Sequence, residues 1–232
     1  MTSKLSVSVV DSKIVSPCSQ ELHNLICNIT YENKLIHLGS CLTAAPIIEE
    51  IYDIKSESDI FILSAGHAGV ALYCYVQLKY GICAKELLDK HGIHPNKDVA
   101  NHLTCSAGSL GCGLPIAVGH ALADRKRQVH VLLSDGECAE GSIWEALAFI
   151  TNYKLDNIHV YVNINGWGAY DSINVPYLVD RLKTFLPSIH IRLTGEIKIP
   201  GTAGLESHYY RLKEKDMEEI GCAVGSKNQK II

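Results

Sequence analysis

The stretch Ser134-Asp135-Gly136-Glu137-Cys138-Ala139-Glu140-Gly141 decides the fold of this chain, together with Asn165 thirty residues after Asp135. Residues 128–133 before it are apolar and bounded by turn residues, which is typical of a buried parallel strand. A helix is predicted over 142–153, and 158–162 predict the next strand. In a doubly wound sheet, Asp135 and Asn165 would then lie outside the carboxyl ends of neighbouring strands, where ligands bind.

An acidic residue and an amide at this edge suit a hard divalent cation, which prefers oxygen ligands and often accompanies a phosphate. An Asp-Gly pair alone is more often a plain turn than a ligand. The surrounding residues favour the metal site: Glu140, the Trp144-Glu145-Ala146 segment, and Leu155-Asp156-Asn157 before the second strand. Asn163 competes for the amide role, but its spacing from Asp135 fits less well than that of Asn165.

This whole run resembles the thiamine diphosphate-binding motif of the transketolase family. The resemblance implies that Asp135, Asn165 and the main-chain oxygen of Trp167 hold Mg²⁺, or Ca²⁺ or Mn²⁺ in its place, and that the metal grips the diphosphate. Gly136 and Glu140 belong to the same motif and are expected at the cofactor. The family has glycine where this chain has Ser134. Because serine is the next smallest side chain, we expect the site to survive.

A glycine-rich loop over residues 108–113 leads into a segment that has Pro115 near its start, which suits the first turn of a helix. A helix beginning there would direct free N–H groups and its positive dipole end toward an anion. Alone, the loop predicts tight packing as readily as phosphate binding. Transketolases carry a similar loop over the cofactor, which implies cofactor contacts for Gly108 and Leu110.

Several histidines match the family as well. His37 lies in a His-x-Gly-x-Ser motif, His67 in Gly-His-Ala after the predicted strand 60–63, and His94 in a His-Pro pair. The resemblance implies that His67 contacts the cofactor phosphate and that His37 and His94 serve acid–base chemistry and sugar hydroxyls. His94 is offset by about one residue from the family spacing, so nearby His102 stays a second candidate. An isolated histidine is more often structural than catalytic.

Composition places limits on the class of protein. The chain has 232 residues, 47% of them hydrophobic and 20% charged, and a net charge of -4. These values suit one α/β domain and give no reason to expect nucleic-acid or membrane binding. The nine cysteines are scattered without a CxxC pair, which argues against a zinc site or a disulfide framework and favours a cytoplasmic protein. There is no apolar run long enough for a signal peptide or a membrane helix.

The predicted fold class is α/β: a thiamine diphosphate-binding fold with a parallel sheet flanked by helices on both faces. We expect one diphosphate- and metal-binding domain over residues 1–232, with an arm or edge strand over 1–16 and a frayed tail over 221–232. Predicted helices begin near Ser19 and Thr43 and at Val175, a further strand covers 189–193, and residues 206–220 predict a solvated, mixed-charge helix.

The resemblance implies a transketolase-type transferase that moves a two-carbon ketol unit from a ketose, or its phosphate, to an aldose. In the family, the glutamate that activates the pyrimidine ring belongs to a second domain, and this chain ends before one could begin. We therefore expect one subunit of a split transketolase, with a partner supplying the pyrimidine-binding domain and its glutamate in an α2β2 assembly. The alternatives are a non-catalytic cofactor-binding module and a component of another thiamine diphosphate enzyme, such as a 2-oxoacid dehydrogenase.

Overall fold

Five parallel strands form the centre of the molecule in the computed structural model, which describes residues 11–199 and 201–221. Their order across the sheet is β1-β5-β4-β3-β2, and every neighbouring pair is parallel. The strands are β1 Ser12–Ile14, β2 Ile60–Leu63, β3 Val129–Ser134, β4 Ile158–Ile164 and β5 His190–Leu193. The predicted strands are confirmed, and the predicted arm contributes edge strand β1.

Helices cover both faces of the sheet, as predicted. They are α1 Gln20–Glu32, α2 Leu38–Ile54, α3 Gly69–Tyr80, α4 Ala84–His91, α5 Gly113–Ala123, α6 Gly141–Asn152, α7 Val175–Phe185, α8 Glu206–Tyr209 and α9 Glu214–Glu219. Helices α1 to α4 and the segment 199–217 share one apolar core with one face of the strands. Helices α5, α6 and α7 share a second core with the other face.

Alternating side chains along the strands explain the two layers. In β3, Leu132 joins the first core, whereas Val131 and Leu133 join the second. Successive side chains of a strand point to opposite faces, so a strand buried on both sides is apolar throughout. This is why residues 128–133 lack the polar alternation of a half-exposed strand.

Two predicted helices differ from the structure. Helix α2 begins at Leu38 and not near Thr43, because His37 in the left-handed conformation ends the preceding turn and the helix starts directly after it. The mixed-charge segment 206–220 is not one solvated helix. It is two short helices, α8 and α9, and Asp216 and Met217 in α9 are buried. The predicted frayed tail from 222 onward lies outside the described residues.

Charged and imidazole groups gather at β5 and its neighbours, away from the strand ends that form the candidate site. Arg192 is 2% exposed and pairs with Glu50 and Asp11. The His130 and His159 rings stack with centroids 4.8 Å apart. Burial, and to a lesser degree neighbouring His159, lowers the pKa of His130 to about 4. No helix in the described ranges is long and apolar enough to cross a membrane.

Candidate functional site

Three neighbouring strands end at one edge of the sheet, and each leads directly into a predicted site residue. The turn after β2 carries His67, β3 is followed by Asp135, and β4 by Asn165. Together with loop 108–112 and the start of α2, they enclose a cavity of about 180 Å³. Of the residues predicted from the sequence, the cavity is lined by His37, His67, His94, Gly108, Leu110, Asp135, Gly136, Asn165 and Trp167.

Asp135 is the most deeply buried of these residues, with 2% of its surface exposed. One carboxylate oxygen accepts hydrogen bonds from the amides of Asn165 (2.9 Å) and Gly166 (2.7 Å), and the other from Gly136 (3.0 Å). Burial nevertheless raises the pKa of this carboxyl to about 6, because the three amide donors compensate desolvation only in part. A cation would stabilise the ionised form.

The residues predicted to bind a metal fit a hard cation. The backbone N–H of Asn165 donates a hydrogen bond to the Asp135 carboxylate, so the two residues are in direct contact. The Asn165 side-chain oxygen accepts from the Trp167 amide at 2.9 Å, which folds this loop into a compact turn. In the described ranges, no three His, Cys, Asp or Glu side chains converge on one point. A metal here would thus rely on one carboxylate with amide, carbonyl and phosphate oxygens, the ligand class of Mg²⁺.

The structure distinguishes Asn165 from Asn163. The Asn163 side chain is buried on β4, where its amide donates to Thr43 and its oxygen accepts from Thr194. Both of its polar groups are therefore engaged inside the protein. Asn165 instead lines the cavity.

Close backbone approaches build the cavity wall. A Cβ added to Gly136 would lie 3.1 Å from the Cα of Gly168, so the turn after β3 and the loop after β4 approach tightly. Gly108 has a φ of +142°, and its missing side chain faces His94. Gly108 therefore has a backbone conformation that favours glycine, whereas at Gly136 a side chain would be tight against the neighbouring loop. Ser134, where the family has glycine, accepts a hydrogen bond from the Glu137 amide at 3.2 Å.

Two imidazoles of the cavity, those of His37 and His67, are neutral near pH 7. Burial, and to a lesser degree the neighbouring imidazoles, lowers the pKa of both His37 and His67 to about 4. The two rings lie 5.7 Å apart, between centroids. A neutral imidazole both donates and accepts a hydrogen bond, so the cluster suits hydroxyl and phosphate contacts better than it suits a strong general base.

Two predicted residues lie outside this cavity. His102 stacks on Tyr80, with centroids 3.6 Å apart and planes at 5°, and does not line the cavity, whereas His94 does. Glu140 lines a second cavity, of about 350 Å³, which shares Asp135 and Gly136 with the first.

Sequence reasoning missed two neighbours of His37. His208 and Tyr209 line the cavity, and the His37 amide donates to the His208 carbonyl at 2.9 Å. The His37 and Tyr209 rings lie 5.7 Å apart. These residues come from α8, within a segment whose charges suggested a solvated face. Only the fold brings that segment to the cavity.

A third missed residue, Glu137, holds the glycine-rich loop in place. It is fully buried, and one of its oxygens accepts hydrogen bonds from the Ser64 hydroxyl and from the Gly111 amide, the latter at 2.8 Å. The Ser142 hydroxyl donates to the Gly111 carbonyl, also at 2.8 Å. The Gly111 residue is thus held on both sides, which fixes the loop carrying Gly108 and Leu110. In the sequence, Glu137 looks like an ordinary turn residue.

Comparison with known proteins agrees with this geometry. The family "Thiamine pyrophosphate enzyme, C-terminal TPP binding domain" matches residues 88–181. Human transketolase is 35% identical over 62% of this chain, an alignment that covers 26% of the human protein. One subunit of the apulose-4-phosphate transketolase of Phocaeicola vulgatus is 31% identical over 63% of this chain and 59% of its own length. The chain spans about a quarter of the full transketolase that it matches.

Solved structures show the same fold. The transketolase of Campylobacter jejuni superposes on 88% of this chain and 42% of its own with a TM-score of 0.67 at 21% identity. The transketolase of Leishmania mexicana gives a TM-score of 0.69 over 87% of this chain and 40% of its own, at 18% identity. The predicted fold class is therefore confirmed.

Proposed function

We propose that this chain, whose resemblance to the transketolases holds in both sequence and fold, is the diphosphate-binding subunit of a two-chain transketolase. The observation that carries the proposal is the meeting of Asp135, Asn165 and His67 in one cavity at the carboxyl ends of three adjacent strands. The proposed reaction is transfer of a two-carbon ketol unit from a ketose to an aldose. One or both sugars would be phosphorylated.

Asp135, Asn165 and the carbonyl of Trp167 would hold Mg²⁺, and the metal would in turn bind the diphosphate of thiamine diphosphate. Gly136, Gly108 and Leu110, which line the cavity, would lie against the cofactor. Bound thiamine diphosphate would supply an electron sink for cleavage of the bond beside a ketone.

The histidines would act on the sugar side. His37 and His94 line the cavity that would receive the substrate, and we assign them hydroxyl contacts and proton transfer at the sugar oxygens. Because the pKa of His37 is held to about 4, it is neutral when substrate arrives and can accept a proton only once negative charge develops nearby. His67 would contact the cofactor phosphate. His102, which stacks on Tyr80, is the weaker candidate.

A partner is part of the proposal. The relatives from Actinobacillus succinogenes and Phocaeicola vulgatus are transketolase subunits by name, and the alignments with this chain cover 51% of the first and 59% of the second. We propose that a second chain supplies the pyrimidine-binding domain with its glutamate, in an α2β2 assembly located in the cytoplasm.

The experiment is a ketol-transfer assay with a ketose phosphate donor, an aldose acceptor, Mg²⁺ and thiamine diphosphate. It compares this chain, the candidate partner and their mixture, with an Asp135→Asn mixture as control. Activity in the wild-type mixture, and in none of the other samples, would support the proposal. Activity of this chain by itself would contradict the need for a partner. Cofactor binding by the mixture without transfer on any sugar would favour a non-catalytic binding module.

A further inference from the structure

His94 lies on a short loop, residues 91–98, that leaves the end of α4 and returns to it. We call the two meeting ends of this loop its neck and residues 93–95 its tip. His94, at the tip, lines the cavity at the strand ends. In loops of this kind the ends are close together and side chains of the loop hold it as one unit. The contacts of the neck therefore decide where His94 lies.

Asp98 closes the neck of this loop. One of its carboxylate oxygens accepts a hydrogen bond from the Lys90 ammonium at 2.7 Å and another from the Asn101 side-chain amide, also at 2.7 Å. Nε2 of His91 lies 3.1 Å from the same oxygen. Because Lys90 and His91 are the last residues of α4, the carboxylate ties the end of the loop to its beginning.

Charge strengthens this closure. The hydrogen bonds from Lys90 and Asn101 lower the pKa of Asp98 to about 2, so the carboxylate is ionised at neutral pH. The Asp98 side chain is only 12% exposed, whereas that of Lys90 is 60% exposed. Hydrogen bonds to charged groups are shorter and stronger than those between neutral groups.

The backbone of Asp98 fixes the neck to the protein core. The Asp98 N–H donates to the Leu103 carbonyl at 2.7 Å, and the Leu103 N–H donates to the Asp98 carbonyl at 3.0 Å. Leu103 is 1% exposed and belongs to the first core. A single residue thus connects α4, the loop that carries His94, and a buried anchor.

The tip of the loop is closely fitted between two other parts of the site. A Cβ added to Gly69, the first residue of α3, would lie 2.3 Å from the Ile93 carbonyl oxygen and 2.7 Å from Cδ of Pro95. A Cβ added to Gly108 would lie 3.3 Å from Cβ of His94. With so little free space, a displacement of the neck changes the position of His94 relative to the glycine-rich loop.

We propose that Asp98 is a positioning residue that holds His94 in the cavity by closing the neck of loop 91–98. The inference rests on the function proposed above, because it gives Asp98 a part in the action of His94 on the sugar. Asp98 does not line the cavity. It acts through the loop, and its loss should slow ketol transfer while leaving cofactor binding nearly unchanged.

The first measurement requires no activity. Histidine side-chain signals of the chain are recorded by proton–carbon NMR, and the signal that disappears in His94→Gln identifies His94. We expect Asp98→Ala to shift and broaden the His94 signal. Asp89→Ala removes the same charge from the exposed side of α4, where Asp89 pairs with Lys85, and should leave the His94 signal unchanged. Thermal unfolding verifies that each variant is folded.

The second measurement is the ketol-transfer assay with the partner chain. Asp98→Ala should lower kcat about ten- to hundredfold, the cost of misplacing a reacting group by about an ångström, with little change in the Kd of thiamine diphosphate. Asp98→Asn keeps an oxygen acceptor in the neck and should recover part of kcat. Gly69→Ala displaces the tip from the other side, so it should also lower kcat and shift the His94 signal.

Two results would overturn the proposal: an unchanged His94 signal or wild-type kcat in folded Asp98→Ala, and a loss of cofactor affinity as large as the loss of kcat. The second would mean a general structural role. If Asp98→Ala does not fold, Asp98→Asn and Gly69→Ala provide the same comparisons. If the wild-type mixture transfers no ketol unit, the proposed function fails, and the NMR comparison still decides whether Asp98 positions His94.

Discussion

Replacing Asp135 by Asn should stabilise the chain in the absence of ligands while removing its capacity for metal-dependent cofactor binding. Burial raises the pKa of this carboxyl from 3.8 to about 6. A difference of about 2.2 units at about 1.36 kcal/mol each means that the ionised carboxylate costs about 3 kcal/mol of folding stability at pH 7. Asparagine carries no charge and avoids this cost.

The substitution also removes one hydrogen bond of the folded state. The asparagine side-chain oxygen can still accept from the Asn165 and Gly166 amides, but its amide group faces the Gly136 N–H, and that hydrogen bond is lost at about 1 kcal/mol. The net gain is about 2 kcal/mol. For a domain of this size, it corresponds to a rise in Tm of about 4–8 °C.

The assay is thermal unfolding over a pH series, with and without Mg²⁺ and thiamine diphosphate. The folded state binds the proton more tightly than the unfolded state, so wild-type stability falls as pH rises from about 4 to 6. The Tm difference should thus be small at pH 4 and complete above pH 6.5. Exposed Asp180→Asn, which changes the net charge equally, should show no such difference.

Cofactor at a hundred times its Kd should stabilise the wild type by about 2.7 kcal/mol and so raise its Tm. The Tm of Asp135→Asn should not change when the cofactor is added. A variant less stable than the wild type at pH 7 would refute the desolvation argument. Cofactor stabilisation that persists in the variant would refute the assignment of Asp135 as a metal ligand.

Three further substitutions test the surrounding structure. Gly111→Ala should cost roughly 2–5 kcal/mol in urea unfolding, because φ is +79° and the new Cβ would lie 2.4 Å from the Ser142 hydroxyl oxygen; Gly119→Ala, with open space around it, should be neutral or stabilising. His130→Leu should flatten the pH profile of unfolding. Because the pKa of His130 is about 4 in the folded state, only the unfolded chain binds this proton between pH 6.5 and 4. The wild type should therefore lose up to about 3 kcal/mol of folding stability as the pH falls through this range. Glu137→Ala should weaken thiamine diphosphate binding in calorimetric titration and Glu137→Gln should restore most of it; equal affinity for both would contradict its role in holding the loop.

The strands and most helices were predictable because each is a local pattern. Residues 60–63 and 158–162 are apolar runs between turn residues, and Ser19 caps α1 by accepting a hydrogen bond from the Leu22 amide, as its residue type suggested. The start of α2 was missed: the helix begins at Leu38, which is fully buried, and not near Thr43. Helix propensity is a weak signal where tertiary packing buries the first turn of a helix.

The candidate site was predictable where motif spacing follows the strand ends, as for Asp135 and Asn165. It was not predictable where a distant segment returns to the cavity. His208 comes from a part of the chain with no periodicity that indicates a site, and Glu137 acts through hydrogen bonds to Ser64 and Gly111, which are remote in sequence.

The sheet order has a consequence for synthesis on the ribosome. Among the described residues, strand β1 pairs only with β5, so the backbone groups of residue 12 have no strand partner until residue 191 has been synthesised. The Asp11–Arg192 ion pair, which connects β5 with the residue before β1, also forms only after Arg192 has been synthesised. Until then, nascent β4 keeps an open edge, and unpaired strand edges are where aggregation begins. We expect slow translation to favour chaperone association with this chain until β5 emerges, and the last stage of folding to be the closing of that edge.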